Sequence, residues 1–243
     1  MIIAHRGASA AAPENTISSF VLAWQMKVPA VECDIHLTAD NQVVVIHDHN
    51  AKRTTGVDVN ICDASYSQIT SLDAGSFKDI KYVREKIPLL ADVIDTVPSD
   101  GTLFVEIKCG REVLSFLQEI IEKSGKSAQI AIIGFNIDVI AEAKEFMPDI
   151  PVYWLIAPEK DKDGGYVPYD SSFILKAKEK NLQGINAYWQ GLTRKFIRDA
   201  HNVRLKVYAW TVDDISVAKE LKEVGIDGIT SNKPDLLMKN MKD

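Results

Sequence analysis

Two histidine-headed signatures, His5-Arg6-Gly7 and His47-Asp48, bracket Glu32-Cys33-Asp34, and Glu106-Ile107-Lys108 follows further on. Histidine moves protons near neutral pH. Carboxylates without cysteine partners suit one hard divalent cation such as Mg²⁺ or Ca²⁺. Arg6 and Lys108 suit phosphate oxygens, one as a planar fork and the other as a point charge. Each signature lies at or just past the end of an apolar, strand-like run. Side chains alternate along a strand, so Glu32 and Asp34 share a face, as do Glu106 and Lys108. Three acids, two histidines and two cations then converge on one pocket, which is the chemistry of a metal ion handling a phosphate. Two histidines flanking phosphorus would serve as base and acid. That suits a phosphodiester, where both the attacking and the leaving oxygen need proton management.

The elements that must position these residues are short apolar runs at 2–4, 30–35, 103–107, 130–134, 152–156, 184–187, 206–210 and 228–230. Helical periodicity separates them, over 16–25, 111–123, 137–146, 171–180, 193–200, 214–224 and 234–240. Near-continuous apolar strands alternating with amphipathic helices predict a parallel sheet covered by helices. Eight such units in 243 residues predict a single-domain α/β chain, a (β/α)8 TIM barrel spanning 1–243. Its active face lies at the C-terminal ends of the strands, where all four signatures fall. No GxGxxG follows the first strand, which disfavours a dinucleotide-binding fold. One segment breaks the rhythm: 43–47 reads as a further strand, and the polar, irregular stretch at about 50–87 reads as a small cap inserted after the second strand.

Composition narrows the class. Lys and Arg number 28 against 34 Asp and Glu, a net charge of −6, which argues against a nucleic-acid partner. No apolar run approaches the ~20 residues of a membrane span. The chain opens directly on a strand with no basic leader, which favours the cytoplasm, or a periplasmic or secreted setting if a leader has been removed. Cys33, Cys62 and Cys109 are odd in number and scattered, so no disulfide framework is expected. Cys33, between two inward carboxylates, faces outward as a small hydrophobe.

Pro13-Glu14-Asn15-Thr16 has two readings: a turn with Asn15 or Thr16 capping the first helix, or a loop holding Glu14 or Asn15 against His5 or the metal. Phe135 and Trp210, directly at strand ends, are candidates for a wall touching the substrate, and an aromatic wall would suit a glycerol backbone or a quaternary ammonium group. His36 shares the parity of Glu32 and Asp34 and points towards the rim. His49 stands two beyond His47.

The ordered set His5-Arg6-Gly7, Pro13-Glu14-Asn15-Thr16, Glu32-x-Asp34, Thr38-x-Asp40, His47-Asp48, Arg53-Thr54-Thr55-Gly56, Ile87-Pro88-Leu89-Leu90, Glu106-x-Lys108 and Trp210-Thr211-Val212 closely resembles the glycerophosphodiester phosphodiesterase family. The resemblance spans nearly the whole chain. It implies a TIM barrel with a small cap and hydrolysis of glycerophosphodiesters to sn-glycerol 3-phosphate and an alcohol. It also implies one divalent cation on Glu32, Asp34 and Glu106, an acid–base pair of His5 and His47, and phosphate contacts from Arg6 and Lys108. By analogy with phosphatidylinositol phospholipases C, it further implies attack by the glycerol 2-hydroxyl and then opening of a cyclic phosphate by water. The chain departs from the family at Gly134-Phe135, where Ser-Phe is usual, and at Ser231-Asn232, where Thr-Asp is usual and a carboxylate is lost. Two other readings stay open: a lysophospholipase D-type activity on single-chain lipids, and a barrel that binds a phosphorylated ligand without turnover. The first needs an apolar groove near the cap, for which Tyr66, Ile69, Leu72, Phe77 and Ile80 are available unless they form the cap's own core.

Overall fold

The Val- and Ile-rich runs become parallel strands because β-branched side chains fit a pleated surface buried on both faces. In this computed structural model, which describes residues 1–241, the strands are β1 (Ile2–Ala4), β2 (Ala30–Leu37), β3 (Val43–Val45), β4 (Thr102–Ile107), β5 (Ile130–Gly134), β6 (Val152–Ile156), β7 (Gly184–Tyr188), β8 (Lys206–Trp210) and β9 (Gly228–Ser231). Their spatial order is β1-β9-β8-β7-β6-β5-β4-β2-β3, and β1 also pairs with β2. Eight parallel strands therefore close on themselves as a (β/α)8 barrel, with β3 lying outside the circuit. The helices are α1 (Ile17–Gln25), α2 (Lys52–Thr55), α3 (Tyr66–Ile69), α4 (Leu90–Asp95), α5 (Leu114–Ser124), α6 (Ile137–Phe146), α7 (Ser171–Glu179), α8 (Arg194–Asn202), α9 (Ile215–Glu223) and α10 (Pro234–Asn240). No helix among the described residues is long and apolar enough to cross a membrane.

Alternation along the strands divides the interior in two. Outward residues, Cys33 among them, pack under the helices in the larger core. Inward residues Ile3, Phe104, Ile133, Tyr153, Leu155 and Tyr208 fill the barrel itself. There the rings of Tyr153 and Tyr208 meet edge-on at 4.9 Å, and those of Phe104 and Tyr208 at 5.5 Å.

β2 is the longest strand, and its last residues run past the barrel to pair antiparallel with β3, His36 opposite Val44. This turn back delivers the chain from β3 to His47 above the barrel mouth. The segment that follows carries α2 and α3 and has a small core of its own, with Ile61, Ile69 and Ile87 packed on Val44 and Ile46. Tyr66 and Leu72 pack against that core, whereas Phe77 and Ile80 stand exposed. α4, which periodicity did not reveal, then leads into β4.

Candidate active site

The site begins with a forced turn. After β1, Arg6 and Gly7 both have positive φ, 55° and 78°. A Cβ on Gly7 would lie 2.4 Å from Ser19 Oγ, so only glycine lets the turn close against α1. The turn aims the Arg6 backbone N–H at Glu32 Oε2, 2.9 Å away, and leaves His5 at the rim. Asn15, also left-handed at φ 57°, is buried and embraces Asp34: its Nδ2 donates to Asp34 Oδ2 at 2.8 Å, and its Oδ1 accepts the Asp34 backbone N–H at 3.3 Å. The helix cap falls instead to Thr16, which accepts from the Ser19 backbone N–H.

Parallel pairing of β2 with β4 sets Asp34 opposite Glu106. Glu32, Asp34 and Glu106 are all buried, and each offers one oxygen within 4.8 Å of the others. Glu32 Oε1 and Asp34 Oδ1 are buried without a hydrogen bond among the described residues. Burial first, then Asp34 and Glu106, push Glu32 well above the carboxylate range. Burial and Asp34 likewise raise Glu106 to about 7, against the pull of Lys108. Asp34 goes the other way: burial raises it, but Arg6 and Lys108 overcome that and hold it low. Like charges forced together with bare oxygens are the surroundings a hard divalent cation relieves, and an all-oxygen donor set fits Mg²⁺ or Ca²⁺.

Two cations flank the acids. Arg6 Nε lies 3.2 Å from Asp34 Oδ2, and its Nη1 donates to Glu14 Oε1 at 2.8 Å. Lys108 Nζ donates to Glu106 Oε1 at 2.7 Å and sits 3.1 Å from His47 Nε2. Both histidine rings are anchored at Nδ1. His47 Nδ1 meets Asp48 Oδ1 at 2.6 Å. Asp48 is in turn held by Arg53 Nε at 2.6 Å, and Arg53 reaches Glu14 with both Nη atoms. His5 Nδ1 meets Asn232 Oδ1 at 2.7 Å, which places the proton on Nδ1 and leaves Nε2 as the acceptor. Burial, then Arg6, lower His5 to about 4, so its ring is neutral at pH 7.

The sequence brought His5, Arg6, Glu32, Asp34, His47, Glu106 and Lys108 together, and the structure gathers them too. His5, Arg6, Glu32, His47, Glu106 and Lys108 line one cavity of about 130 Å³ with Phe135 and Trp210. The two rings meet edge-on at 5.5 Å. Glu14 and Asn15 reach neither His5 nor a ligand position directly; they hold Arg6 and Asp34. Asn186 and Thr230 also line the cavity and carried no sequence signal. Asn186 is 2% exposed, with Oδ1 buried and free of hydrogen bonds among the described residues. Asn232 is itself held from beyond β8, where Asp213 accepts from both its side-chain amide and its backbone N–H, each at 2.8 Å. The serine missing at Gly134 has a packing counterpart: a Cβ there would meet Ile140 Cγ2 at 2.7 Å.

A closed parallel barrel whose mouth gathers acids, cations and two histidines defines a (β/α)8-barrel enzyme of anion chemistry. The model of the glycerophosphoryl diester phosphodiesterase family matches residues 5–236, and the chain belongs to that family. YhdW of Bacillus subtilis is 32% identical over 99% of this chain and 98% of its own length. The structure of an Oleispira antarctica phosphodiesterase in complex with the product sn-glycerol-3-phosphate superposes with a TM-score of 0.91 at 27% identity, covering 100% of this chain and 97% of that one. Human lysophospholipase D GDPD1 is 27% identical over 97% of this chain and 84% of its own length.

Proposed function

We propose that this protein hydrolyses glycerophosphodiesters to sn-glycerol 3-phosphate and an alcohol, using one divalent cation held by Glu32, Asp34 and Glu106. The observation that carries the reading is the trio of buried carboxylates with bare oxygens, set between two anchored histidines and two phosphate-binding cations. Its relatives and the product held by the Oleispira enzyme support the substrate class. When bound, the cation neutralises phosphate charge and stabilises the charge that builds on the phosphoryl oxygens.

This chain's own groups divide the remaining work. Arg6 and Lys108 orient the phosphate. His5 is neutral with a free Nε2 lone pair, so it takes the proton of the glycerol 2-hydroxyl as that oxygen attacks phosphorus, and water then opens the cyclic phosphate to sn-glycerol 3-phosphate. His47 acts as the general acid once its Nε2, which accepts from Lys108 here, has taken up a proton, and Asp48 behind Nδ1 then balances the charge of the doubly protonated ring. Asn186 lines the glycerol end of the cavity, and Phe135 and Trp210 cover the carbon backbone. The small cavity favours a soluble diester over a single-chain lipid; Tyr66, Ile69 and Leu72 pack into the inserted segment's own core, while its Phe77 and Ile80 stand exposed. We assign the segment at about 50–87 the part of a cap, because its Arg53 ties Asp48 to Glu14 across the mouth.

The test is release of glycerol 3-phosphate from a panel of glycerophosphodiesters after EDTA treatment, then with Mg²⁺ or Ca²⁺ restored. Turnover that disappears with EDTA and returns with one of the ions is expected. Turnover indifferent to EDTA would remove the metal, and tight diester binding without turnover in any ion would make the barrel a binding protein.

A further inference from the structure

Three neighbouring strand ends are tied together beside His5, which follows β1: Asn232 follows β9, and Asp213 lies beyond β8. The Asp213 carboxylate collects three donors. Its Oδ1 accepts from the Ser231 hydroxyl and the Asn232 backbone N–H, and its Oδ2 accepts from Asn232 Nδ2, each at 2.8 Å. The Ser231 oxygen takes the Lys233 backbone N–H at 3.1 Å, so its own proton is directed to Asp213. Burial raises Asp213, but the bonds from Asn232 and Ser231 outweigh it and hold the carboxyl below its usual range. An ionised carboxylate can only accept. It therefore decides which way the Asn232 amide faces, because the reversed amide would set two oxygens 2.8 Å apart with no proton between them. The amide gives its NH2 to Asp213 and its Oδ1 to His5 Nδ1 at 2.7 Å, and the Ser9 hydroxyl donates to the same oxygen at 3.1 Å. An amide oxygen only accepts, so the proton of the neutral ring lies on Nδ1. Glu32 Oε2 stands 4.0 Å from Nε2, beyond hydrogen-bond reach, and does not draw that proton across the ring.

We propose that Asp213 is the positioning residue of the base: acting through the Asn232 amide, it keeps the His5 proton on Nδ1 and the Nε2 lone pair open to the attacking hydroxyl. The proposal rests on the hydrolase reading above, in which His5 takes the proton of the glycerol 2-hydroxyl. Asp213 does not line the cavity, so its influence reaches the ring only as a direction of hydrogen bonding. That direction can be reversed with almost no change of shape. In Asp213→Asn the new amide oxygen stays where two donors converge, at the place of Oδ1, and its NH2 takes the place of Oδ2. Asn232 must then turn over to accept from it. The Asn232 NH2 now faces His5 Nδ1, which becomes the acceptor, and the ring proton moves to Nε2. The number of hydrogen bonds is kept, but the lone pair of the base is lost. Adding Asn232→Asp to this variant reverses the effect again. The carboxylate introduced at position 232 accepts from the new amide on one side and from His5 Nδ1–H on the other.

The experiment reads the His5 ring by nitrogen NMR of histidine-labelled protein with Mg²⁺ present, because protonated and bare imidazole nitrogens resonate far apart. His5→Gln identifies the signals. In parallel, kcat and KM are measured on the methyl diester of sn-glycerol 3-phosphate. The wild type should carry its proton on Nδ1. Asp213→Asn should carry it on Nε2, with kcat lower by about 10²-fold or more, the usual worth of a positioned base, and KM changed by less than about twofold. Asp213→Asn combined with Asn232→Asp should return the proton to Nδ1 and restore most of kcat. A purely structural Asp213 would let the near-isosteric amide pass with the tautomer unchanged, and that result would overturn the proposal. So would a double variant less active than Asp213→Asn alone. An Nε2 proton in the wild type would overturn it without any variant, even if the substituted proteins failed to fold. A wild type with its proton on Nδ1 but no turnover in Mg²⁺ or Ca²⁺ would instead remove the hydrolase reading, and the role of base with it.

Discussion

On β4, Phe104 and Glu106 point into the barrel from positions two residues apart, roughly 7 Å along the strand. Phe104 lies among Tyr153 and Tyr208 in a floor of interlocked rings. Glu106 lies one layer higher, in a mouth where three carboxylates crowd together with bare oxygens. The floor satisfies every requirement of a stable interior: apolar contact, edge-on rings and no stranded charge. The mouth violates them, burying like charges whose protons are displaced to abnormal pH. The same strands thus build a layer that holds the barrel shut and a layer that is held in strain by it. Stability and chemistry are separated by a single step of side-chain alternation.

The largest effect that tests this separation is in the mouth. His47→Ala should lower kcat by about 10²–10⁴-fold, the usual worth of a positioned general acid, with little change in melting temperature. Activity retained at wild-type level would remove His47 from proton transfer. Phe104→Ala is the converse: it should cost about 3–5 kcal/mol of stability, read in a denaturant titration, while the residual folded fraction keeps its KM. A change in KM as large as the change in stability would show that floor and mouth are coupled.

The third test sharpens the account of strain. Glu106 is raised to about 7 in the folded, metal-free protein, above its unfolded value near ~4.3. Its contribution to stability is therefore full below the unfolded value and lost as the pH rises through about 7. Metal-free protein should melt progressively lower over that window relative to Glu106→Gln, which cannot ionise, and Mg²⁺ or Ca²⁺ should restore the wild type but not the variant. Parallel melting curves for the two proteins across the window would show that Glu106 is not strained.

Much of this was legible in the chain. Parity placed Glu32, Asp34 and Glu106 on one face because strand alternation is local and obligatory, and the eight apolar runs announced the closed barrel. What escaped was short or non-local. α4, Leu90–Asp95, is too brief for periodicity to declare itself. Asn186 is a lone polar residue within an apolar run, and only the packing reveals that it lines the cavity. The link from Asp213 through Asn232 to His5 joins strand ends far apart in sequence, so no local pattern announced it. Pro13–Thr16 carried both of its readings at once, with Thr16 capping the helix and Glu14 and Asn15 holding Arg6 and Asp34.

The bond from His5 to Asn232 crosses the seam where β1 meets β9, joining residues 227 positions apart. During synthesis the first strand to leave the ribosome waits for the last before its imidazole acquires a fixed tautomer. Fragments lacking the final strand, whether stalled nascent chains or products of proteolysis, would carry all three acids and both histidines yet leave His5 Nδ1 without Asn232. On the reading of His5 as the base, the orientation of its ring waits for closure of the barrel, a consequence of geometry alone.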